Sequence, residues 1–113
     1  MAKKINLNDY LGHSMDCTCG KEHKTNLKIV DIDKDAVSRL PKHIEALGYK
    51  KPFLVADVNT WAAAGALVAE KLDVADISYK KYIFNEKELI PDEKTLGSLM
   101  MAFSRDCDVI VAV

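Results

Sequence analysis

The chain has 113 residues and a formal net charge of −1, with 49% hydrophobic and 29% charged residues. This length and balance predict a single globular domain of ordinary soluble composition. The even charge argues against a surface built for nucleic acid or for an acidic membrane. No apolar run approaches the roughly 18–20 residues that span a bilayer, and the opening "MAKKINLNDY" is too polar for a signal peptide. We therefore expect a cytoplasmic protein without nucleic-acid or membrane partners.

Residues 1–25 show no helical or strand period and are predicted to form a separate leader. They contain the cluster "DCTCGKEH", in which Cys17, Cys19 and His23 follow the pattern C-x-C-x-x-x-H. Thiolates and imidazole are natural zinc ligands. These three residues are therefore a candidate metal site of a non-catalytic kind.

The leader has a second interpretation that needs no metal. The common structural zinc spacing is C-x₂₋₄-C with a second pair elsewhere, and the only other cysteine is Cys107. A fourth ligand would have to be His13, Asp16, water or another chain. The alternative is a polar surface loop with reduced thiols, in which Gly20 makes a turn. An odd number of cysteines also argues against a disulfide framework.

After residue 25, strand and helix patterns alternate. The segment "NLKIVDI" (26–32) predicts a first strand. Apolar residues at helical spacing then predict a helix, and Gly48 is a natural C-terminal stop; these residues are Val37, Leu40, Ile44 and Leu47. Since proline is poorly tolerated in a helix interior, we expect this helix to begin with Pro41 in its first turn.

The next two strands are predicted at 51–58 and 76–84. The first is nearly all apolar, which is typical of a parallel strand covered on both faces. The helix between them should be capped by Asn59 or Thr60. It continues with five small residues, Ala62 to Ala66, that let it lie close to a sheet or a ligand. The second strand alternates and is expected near an edge.

A last helix is predicted at 93–105, with Asp92 as its cap. Its inward face should comprise Leu96, Leu99, Met100 and Phe103. The last strand is predicted at 107–113. The order β-α-β-α-β-α-β predicts an α/β fold, a Rossmann-like three-layer half-domain with a mostly parallel sheet over residues 26–113.

A candidate binding residue stands at the end of the second predicted strand. In open parallel sheets, ligands bind at the carboxyl ends of the strands. In "LVADVNTWAAAG", Asp57 closes the buried strand just before the helix begins, and its carboxylate could accept hydrogen bonds from the 2′- and 3′-hydroxyls of an adenine ribose. The alternative is that Asp57 only orders the turn and the helix N-terminus. The sequence has no G-x-G-x-x-G or G-x-x-x-x-G-K-[ST] phosphate loop.

Two stretches, "PFLVADVNTWAAAG" and "SRDCDVIVAV", resemble the N-terminal domain of glycerol-1-phosphate dehydrogenases. These enzymes are relatives of the iron-containing alcohol dehydrogenases and dehydroquinate synthases. The resemblance covers about residues 26–113. In that family the last strand runs into a "GSGT" phosphate loop, and a helical second domain holds the catalytic metal through an aspartate and two histidines. The resemblance implies that this sequence stops just before the loop and is inactive alone.

The resemblance also implies a reaction and its cofactors. The full-length enzyme would transfer a hydride from NAD(P)H to dihydroxyacetone phosphate, giving sn-glycerol 1-phosphate. Its zinc, iron or nickel ion would polarise the carbonyl. By position, Asp57 matches the family's acidic contact to the cofactor's adenosine. Asn59 and Thr60 match the same motif as further cofactor-binding residues. An acidic residue at this point disfavours a 2′-phosphate and so favours NAD over NADP.

Further expectations and alternatives remain open from the sequence. The partners implied are a small-molecule substrate, dihydroxyacetone phosphate or a related polyol, and further copies of the chain in a homo-oligomer. One alternative is the same domain from a glycerol dehydrogenase or another alcohol dehydrogenase relative. Others are a stand-alone α/β binding module with a zinc-binding Cys/His loop, or a Rossmann-like domain for another nucleotide.

Overall fold

The computed structural model describes residues 6–15 and 17–113. The chain divides into two compact units, residues 1–34 and 35–113. The boundary predicted after residue 25 lies inside the first unit. Within the part of the chain described, no helix combines the length and apolar character needed to cross a membrane.

Among its described residues, the first unit contains only short elements. A 3₁₀ turn at Leu7–Tyr10 is followed by two antiparallel strands, β1 (Ser14–Met15) and β2 (His23–Lys24). Ser14 pairs with Lys24 and Met15 with His23. The segment between these strands carries the cysteines of the candidate metal site.

The strand predicted at 26–32 does not form, so this prediction was wrong. The segment forms neither strand nor helix, and Ile32 at its end is 82% exposed. The sequence pattern shows which side chains would share a face of a strand. Strand formation also requires a neighbour that accepts and donates backbone hydrogen bonds, and the pattern does not supply one.

The second unit is built on a three-stranded parallel sheet. Its strands are β3 (Pro52–Asp57), β4 (Lys80–Phe84) and β5 (Val109–Ala112), and their spatial order is β4-β3-β5. The predicted α/β class with a parallel sheet is confirmed, and β4 is an edge strand as expected. β5 is the other edge and leaves Ile110 exposed.

Helix α1 spans Ala36–Ala46 and contains Pro41 in its interior. The prediction that Pro41 lies in the first turn was therefore wrong. Proline has no backbone N–H, so the carbonyl of Val37 lacks its usual donor four residues on. Pro41 and Ile44 are the buried residues of this helix, and their burial compensates for part of that loss.

One face of the sheet carries the main hydrophobic core. Between β3 and β4 the chain forms one continuous helix made of α2 (Val58–Thr60), a π-helical turn (Trp61–Gly65) and α3 (Ala66–Val74). Its apolar side packs with α1 over the central strand; the buried cluster comprises Ile44, Leu54, Val68, Ala69 and Leu72.

The other face of the sheet is covered only in part. Helix α4 spans Glu93–Ala102, and Asp92 caps it as predicted by accepting from the N–H of Thr95 at 2.8 Å. Just beyond the helix, Phe103 packs edge-on against Phe53 with ring centroids 5.2 Å apart.

The inward face predicted for α4 was wrong at three of its four positions. Leu96, Met100 and Phe103 are exposed, Phe103 by 39%, whereas Leu99 is half-buried. Helical spacing identifies residues that share a side of a helix. It does not supply the element that would cover that side, and here Phe103 makes the aromatic contact to β3 instead.

Candidate functional site

Asp57, the predicted ligand residue, is the last residue of β3 and the N-cap of the following helix. Its Oδ1 accepts hydrogen bonds from the backbone N–H groups of Asn59 and Thr60, both at 2.8 Å. Thr60 Oγ1 accepts in return from the backbone N–H of Asp57 at 3.0 Å. The pair forms a reciprocal capping box. The prediction of Asn59 or Thr60 as the N-cap was wrong, because the strand runs directly into the helix and leaves Asp57 in the capping position.

The cap uses only one oxygen of the Asp57 carboxylate. Both bonds go to Oδ1, and among the described residues Oδ2 makes no hydrogen bond. The side chain is half-buried at the carboxyl end of the central strand. The ordering role weighed as the alternative is therefore present, and it leaves one acceptor atom in a fixed orientation.

The two other predicted cofactor residues use their side chains within the protein. Asn59 is exposed, and its Nδ2 donates to the carbonyl of Lys87 at 3.3 Å. The Thr60 hydroxyl is engaged with the Asp57 backbone. These bonds tie the start of the helix to the segment after β4. A direct contact of Asn59 or Thr60 with a cofactor stays a prediction.

The small-residue stretch just after the cap lies close to the ring of Trp61. A Cβ added to Gly65 would lie 2.6 Å from Cε3 of Trp61, so glycine lets the helix backbone meet the indole ring. Lys81 of β4 places Nζ 4.6 Å from the centroid of the same ring, a cation–π distance. Trp61 also packs against the core cluster. The ring is therefore a packing element of the fold.

Two open cavities lie beyond the carboxyl end of β4, with volumes of about 170 and 620 Å³. Both are lined by Phe84, the register partner of Asp57, and by Asp92 and Thr95. The N–H of Thr95 lowers the pKa of the Asp92 carboxyl by donating to it. No sequence pattern marks these cavities beyond their place after a strand end, and Asp57 is not among their lining residues.

A carboxylate that the sequence did not single out fixes the opposite end of the sheet. Asp108 accepts from the backbone N–H groups of Lys50 at 2.8 Å and Lys51 at 2.9 Å. These two bonds lower the pKa of the Asp108 carboxyl. Next to it, Asp106 binds Lys51 and Lys80, and its pKa is lowered mainly by the hydrogen bond from Lys51. Both carboxylates hold β5 in register with β3.

The predicted metal-binding residues come together in the first unit. One ligand atom from each of Cys17, Cys19 and His23 lies within 4.8 Å of the others, and Cys19 Sγ is 3.0 Å from His23 Nε2. The N–H of Cys19 points at Cys17 Sγ from 3.5 Å, and this bond is the main cause of a lowered pKa of the Cys17 thiol. All three side chains are exposed. Of the predicted fourth ligands, His13 is outside the cluster and Asp16 lies outside the described residues.

The parallel sheet, its helices and an acidic cap at the carboxyl end of the central strand define a Rossmann-like α/β half-domain. Comparison with known proteins shows that the chain is similar to glycerol-1-phosphate dehydrogenases. This similarity confirms the resemblance predicted from the sequence.

Three of these relatives illustrate the similarity; all carry the name glycerol-1-phosphate dehydrogenase (NAD(P)+). The protein of Halalkalibacterium halodurans is 33% identical over 87% of this chain and 26% of its own length. That of Geobacillus stearothermophilus is 24% identical over 95% of this chain and 28% of its own length. The Bacillus velezensis protein is 32% identical over 72% of this chain and 21% of its own length.

The chain thus spans about a quarter of the length of these relatives. No protein-family model matches it. No solved structure matches it either.

Proposed function

We propose that this chain forms the NAD(P)-binding portion of a glycerol-1-phosphate dehydrogenase-like oxidoreductase. The similarity to enzymes of that name supports the family. The observation that carries the cofactor role is the Asp57 carboxylate, which stands at the carboxyl end of the central strand with one oxygen free of the cap. In the whole protein the reaction would transfer a hydride from NAD(P)H to dihydroxyacetone phosphate, giving sn-glycerol 1-phosphate.

In this proposal Asp57 accepts a hydrogen bond from an adenine-ribose hydroxyl through Oδ2. The two backbone bonds to Oδ1 fix the carboxylate before any ligand arrives, which lowers the entropic cost of binding. A fixed anion at this point repels the 2′-phosphate of NADP. We therefore propose NAD as the preferred cofactor.

The catalytic metal implied by the resemblance does not fit the described residues. Its expected ligands are an aspartate and two histidines, whereas the described residues bring together only one cluster of metal-ligating type, Cys17, Cys19 and His23. We propose instead that this chain supplies cofactor binding, and that residues 1–113 alone do not turn over dihydroxyacetone phosphate with NADH.

Saturation-transfer NMR on the 113-residue chain tests the cofactor role. The ligands are NAD, NADP, ATP and S-adenosylmethionine, each added alone at the same concentration. We expect NAD to bind, with stronger saturation on its adenosine protons than on its nicotinamide protons. Equal saturation along NAD, or binding of ATP or S-adenosylmethionine in preference to NAD, would overturn the proposal and favour a domain for another nucleotide.

Two variants separate cofactor binding from helix capping. Asp57→Asn keeps a good N-cap oxygen but replaces the free acceptor with an amide N–H₂ donor. We expect it to weaken NAD binding by about 1–3 kcal/mol, the scale of a lost charged hydrogen bond. The control Asp108→Asn makes the same change to a carboxylate at the opposite end of the sheet that also accepts two backbone N–H bonds, so NAD affinity should change little. Unchanged NAD affinity in Asp57→Asn would refute the ribose role.

The remaining proposals concern partners and location. A small-molecule substrate follows from the dehydrogenase relatives, and dihydroxyacetone phosphate is the substrate proposed. We also propose a homo-oligomer. A cytoplasmic location is supported by the three cysteines, which are all free thiols.

A further inference from the structure

We infer that Cys17, Cys19 and His23 form a Zn²⁺ site that holds the N-terminal hairpin together, separate from the proposed cofactor site. The three residues are predicted ligands by sequence, and the structure brings their ligand atoms into one cluster. Nothing in the proposed dehydrogenase chemistry uses them.

The backbone of the hairpin places the three ligands on one side of a tight turn. Strands β1 and β2 pair Met15 with His23, which puts the imidazole at the base of the connecting loop. Within the loop, the N–H of Gly20 donates to the carbonyl of Cys17 at 3.3 Å. Gly20 has φ +77°, a conformation that glycine adopts without steric cost. This turn carries the chain back so that both thiols face the histidine.

The distances suit a tetrahedral zinc ion. Zinc binds sulfur at about 2.3 Å and imidazole nitrogen at about 2.0–2.1 Å, so ligand atoms around it lie roughly 3.5–3.8 Å apart. Here Cys19 Sγ and His23 Nε2 are 3.0 Å apart, and the largest separation is within 4.8 Å. Because the three side chains are exposed, small rotations can bring their ligand atoms to the separations found around zinc. Two thiolates and one imidazole favour zinc over magnesium or calcium, which take oxygen ligands.

The described part of the first unit also has no core that would otherwise stabilise it. None of the described residues between 6 and 34 is buried. Its paired strands are two residues long each. A unit of this size without a core needs a staple such as a disulfide or a metal ion. Its two thiols are free, and metal binding supplies folding free energy directly.

The fourth position of the ion is assigned to water. All three ligands are exposed, so solvent reaches the open side of the cluster. Zinc binding releases the two thiol protons, since both cysteines bind as thiolates. No electron transfer is involved.

The test uses the reduced 113-residue chain after removal of bound metal. Zn²⁺ is titrated in competition with a chromophoric chelator, and Co²⁺ is used as a spectroscopic substitute. We expect one equivalent of Zn²⁺ and a thiolate-to-cobalt charge-transfer band. Amide exchange should slow in residues 14–24 when zinc is added. Substoichiometric zinc, or a cobalt spectrum without the thiolate band, would overturn the inference.

Variants locate the site. Cys17→Ser, Cys19→Ser and His23→Gln should each weaken zinc binding by more than the roughly 10–100-fold lost when only an outer-shell partner is removed. His43→Gln, on α1 in the other unit, is the matched imidazole control and should bind zinc as the parent chain does. Zinc affinity that is unchanged in the three ligand variants would overturn the site. None of these measurements involves NAD, so their outcome is independent of the proposed dehydrogenase function.

Discussion

Asp57 and Thr60 cap one another at the point where the central strand becomes a helix. The Asp57 carboxylate accepts from the Thr60 N–H at 2.8 Å, and the Thr60 hydroxyl accepts from the Asp57 N–H at 3.0 Å. The proposed ligand residue is therefore also a structural residue. Any loss of cofactor binding in an Asp57 variant has to be distinguished from a loss of folding.

The capping box predicts different stabilities for two substitutions at Asp57. Asp57→Ala removes the acceptor for two helix N–H groups and should lower the free energy of unfolding by about 1 kcal/mol. Asp57→Asn retains a cap oxygen and should remain within a few tenths of a kcal/mol of the parent chain. Urea denaturation followed by circular dichroism measures both. Equal losses in the two variants would show that the cap does not contribute as the geometry indicates.

Gly65 and Gly97 predict opposite effects of the same substitution to alanine. Both lie in helical segments, where alanine is intrinsically preferred over glycine by roughly 1 kcal/mol. At Gly97, apart from the helix backbone around it, no atom lies within 4 Å of the added Cβ, so Gly97→Ala should raise the melting temperature. At Gly65 the added Cβ would lie 2.6 Å from the Trp61 ring, and overpacking of this kind costs about 1–3 kcal/mol. We expect Gly65→Ala to lower the melting temperature.

The Trp61→Ala background supplies the control for Gly65. With the ring removed, the added methyl group has space, and Gly65→Ala should become neutral or stabilising in the double variant. A destabilisation of the same size in both backgrounds would show that the ring contact is not the cause.

The sequence predicted the features that depend on residues close together in the chain. Asp92 caps α4 through Thr95, three residues away, and Gly48 ends α1 with φ +84°. The three candidate metal ligands lie within seven residues of one another, from Cys17 to His23. Local spacing is sufficient to find such groups.

The features that sequence missed depend on partners far away in the chain. Asp108 bonds to Lys50 and Lys51 across 58 and 57 residues, and no local pattern marks that pairing. The false strand at 26–32 failed for the same reason, because a strand is completed by its neighbour. Asp57, Asn59 and Thr60 are all good cap residues, so only the end of β3 decides which of them is the N-cap.

Helices α1 and α3 both end in a turn with a residue of positive φ, a glycine after α1 and an aspartate after α3. Substitutions at these two residues should therefore change the stability in opposite directions. Gly48 and Asp76 both have positive φ, +84° and +57°. Each closes a Schellman turn: Tyr49 N–H donates to Ile44, and Ile77 N–H donates to Leu72. We expect Asp76→Gly to stabilise and Gly48→Ala to destabilise the chain, each by about 1 kcal/mol. Thermal denaturation of the two variants checks this, and a shift of both in one direction would contradict it.

Exposed apolar side chains on α4 and β5 predict self-association of the 113-residue chain. Met100 is 69% and Met101 89% exposed on α4, and Ile110 is exposed on β5. We expect dimers in light scattering, increasing with concentration, because exposed apolar side chains favour burial between copies. Met100→Lys with Met101→Lys should shift the chain toward monomer, whereas Lys87→Glu, in the loop after β4, should not. A monomer of the parent chain at all concentrations would contradict the expectation.

Asp108 predicts a pH dependence of stability with a defined sign. The N–H groups of Lys50 and Lys51 lower the pKa of its carboxyl in the folded chain, so the unfolded chain binds the proton more readily. The stabilisation is therefore fully present above the unfolded pKa of about 3.9 and is lost as pH falls through the folded pKa.

Asp108→Asn has only one acceptor oxygen for two N–H groups, so it should be less stable than the parent chain at pH 7. The difference should narrow as pH falls below about 4, where the unfolded parent chain takes up a proton that the folded Asp108 carboxylate does not yet bind. Urea denaturation of both chains at several pH values measures this, with Glu70→Gln, an exposed position on α3, as the control for removal of one negative charge. A difference that stays constant from pH 7 to pH 3, or an equal narrowing in the control, would show that the two backbone bonds are not the source.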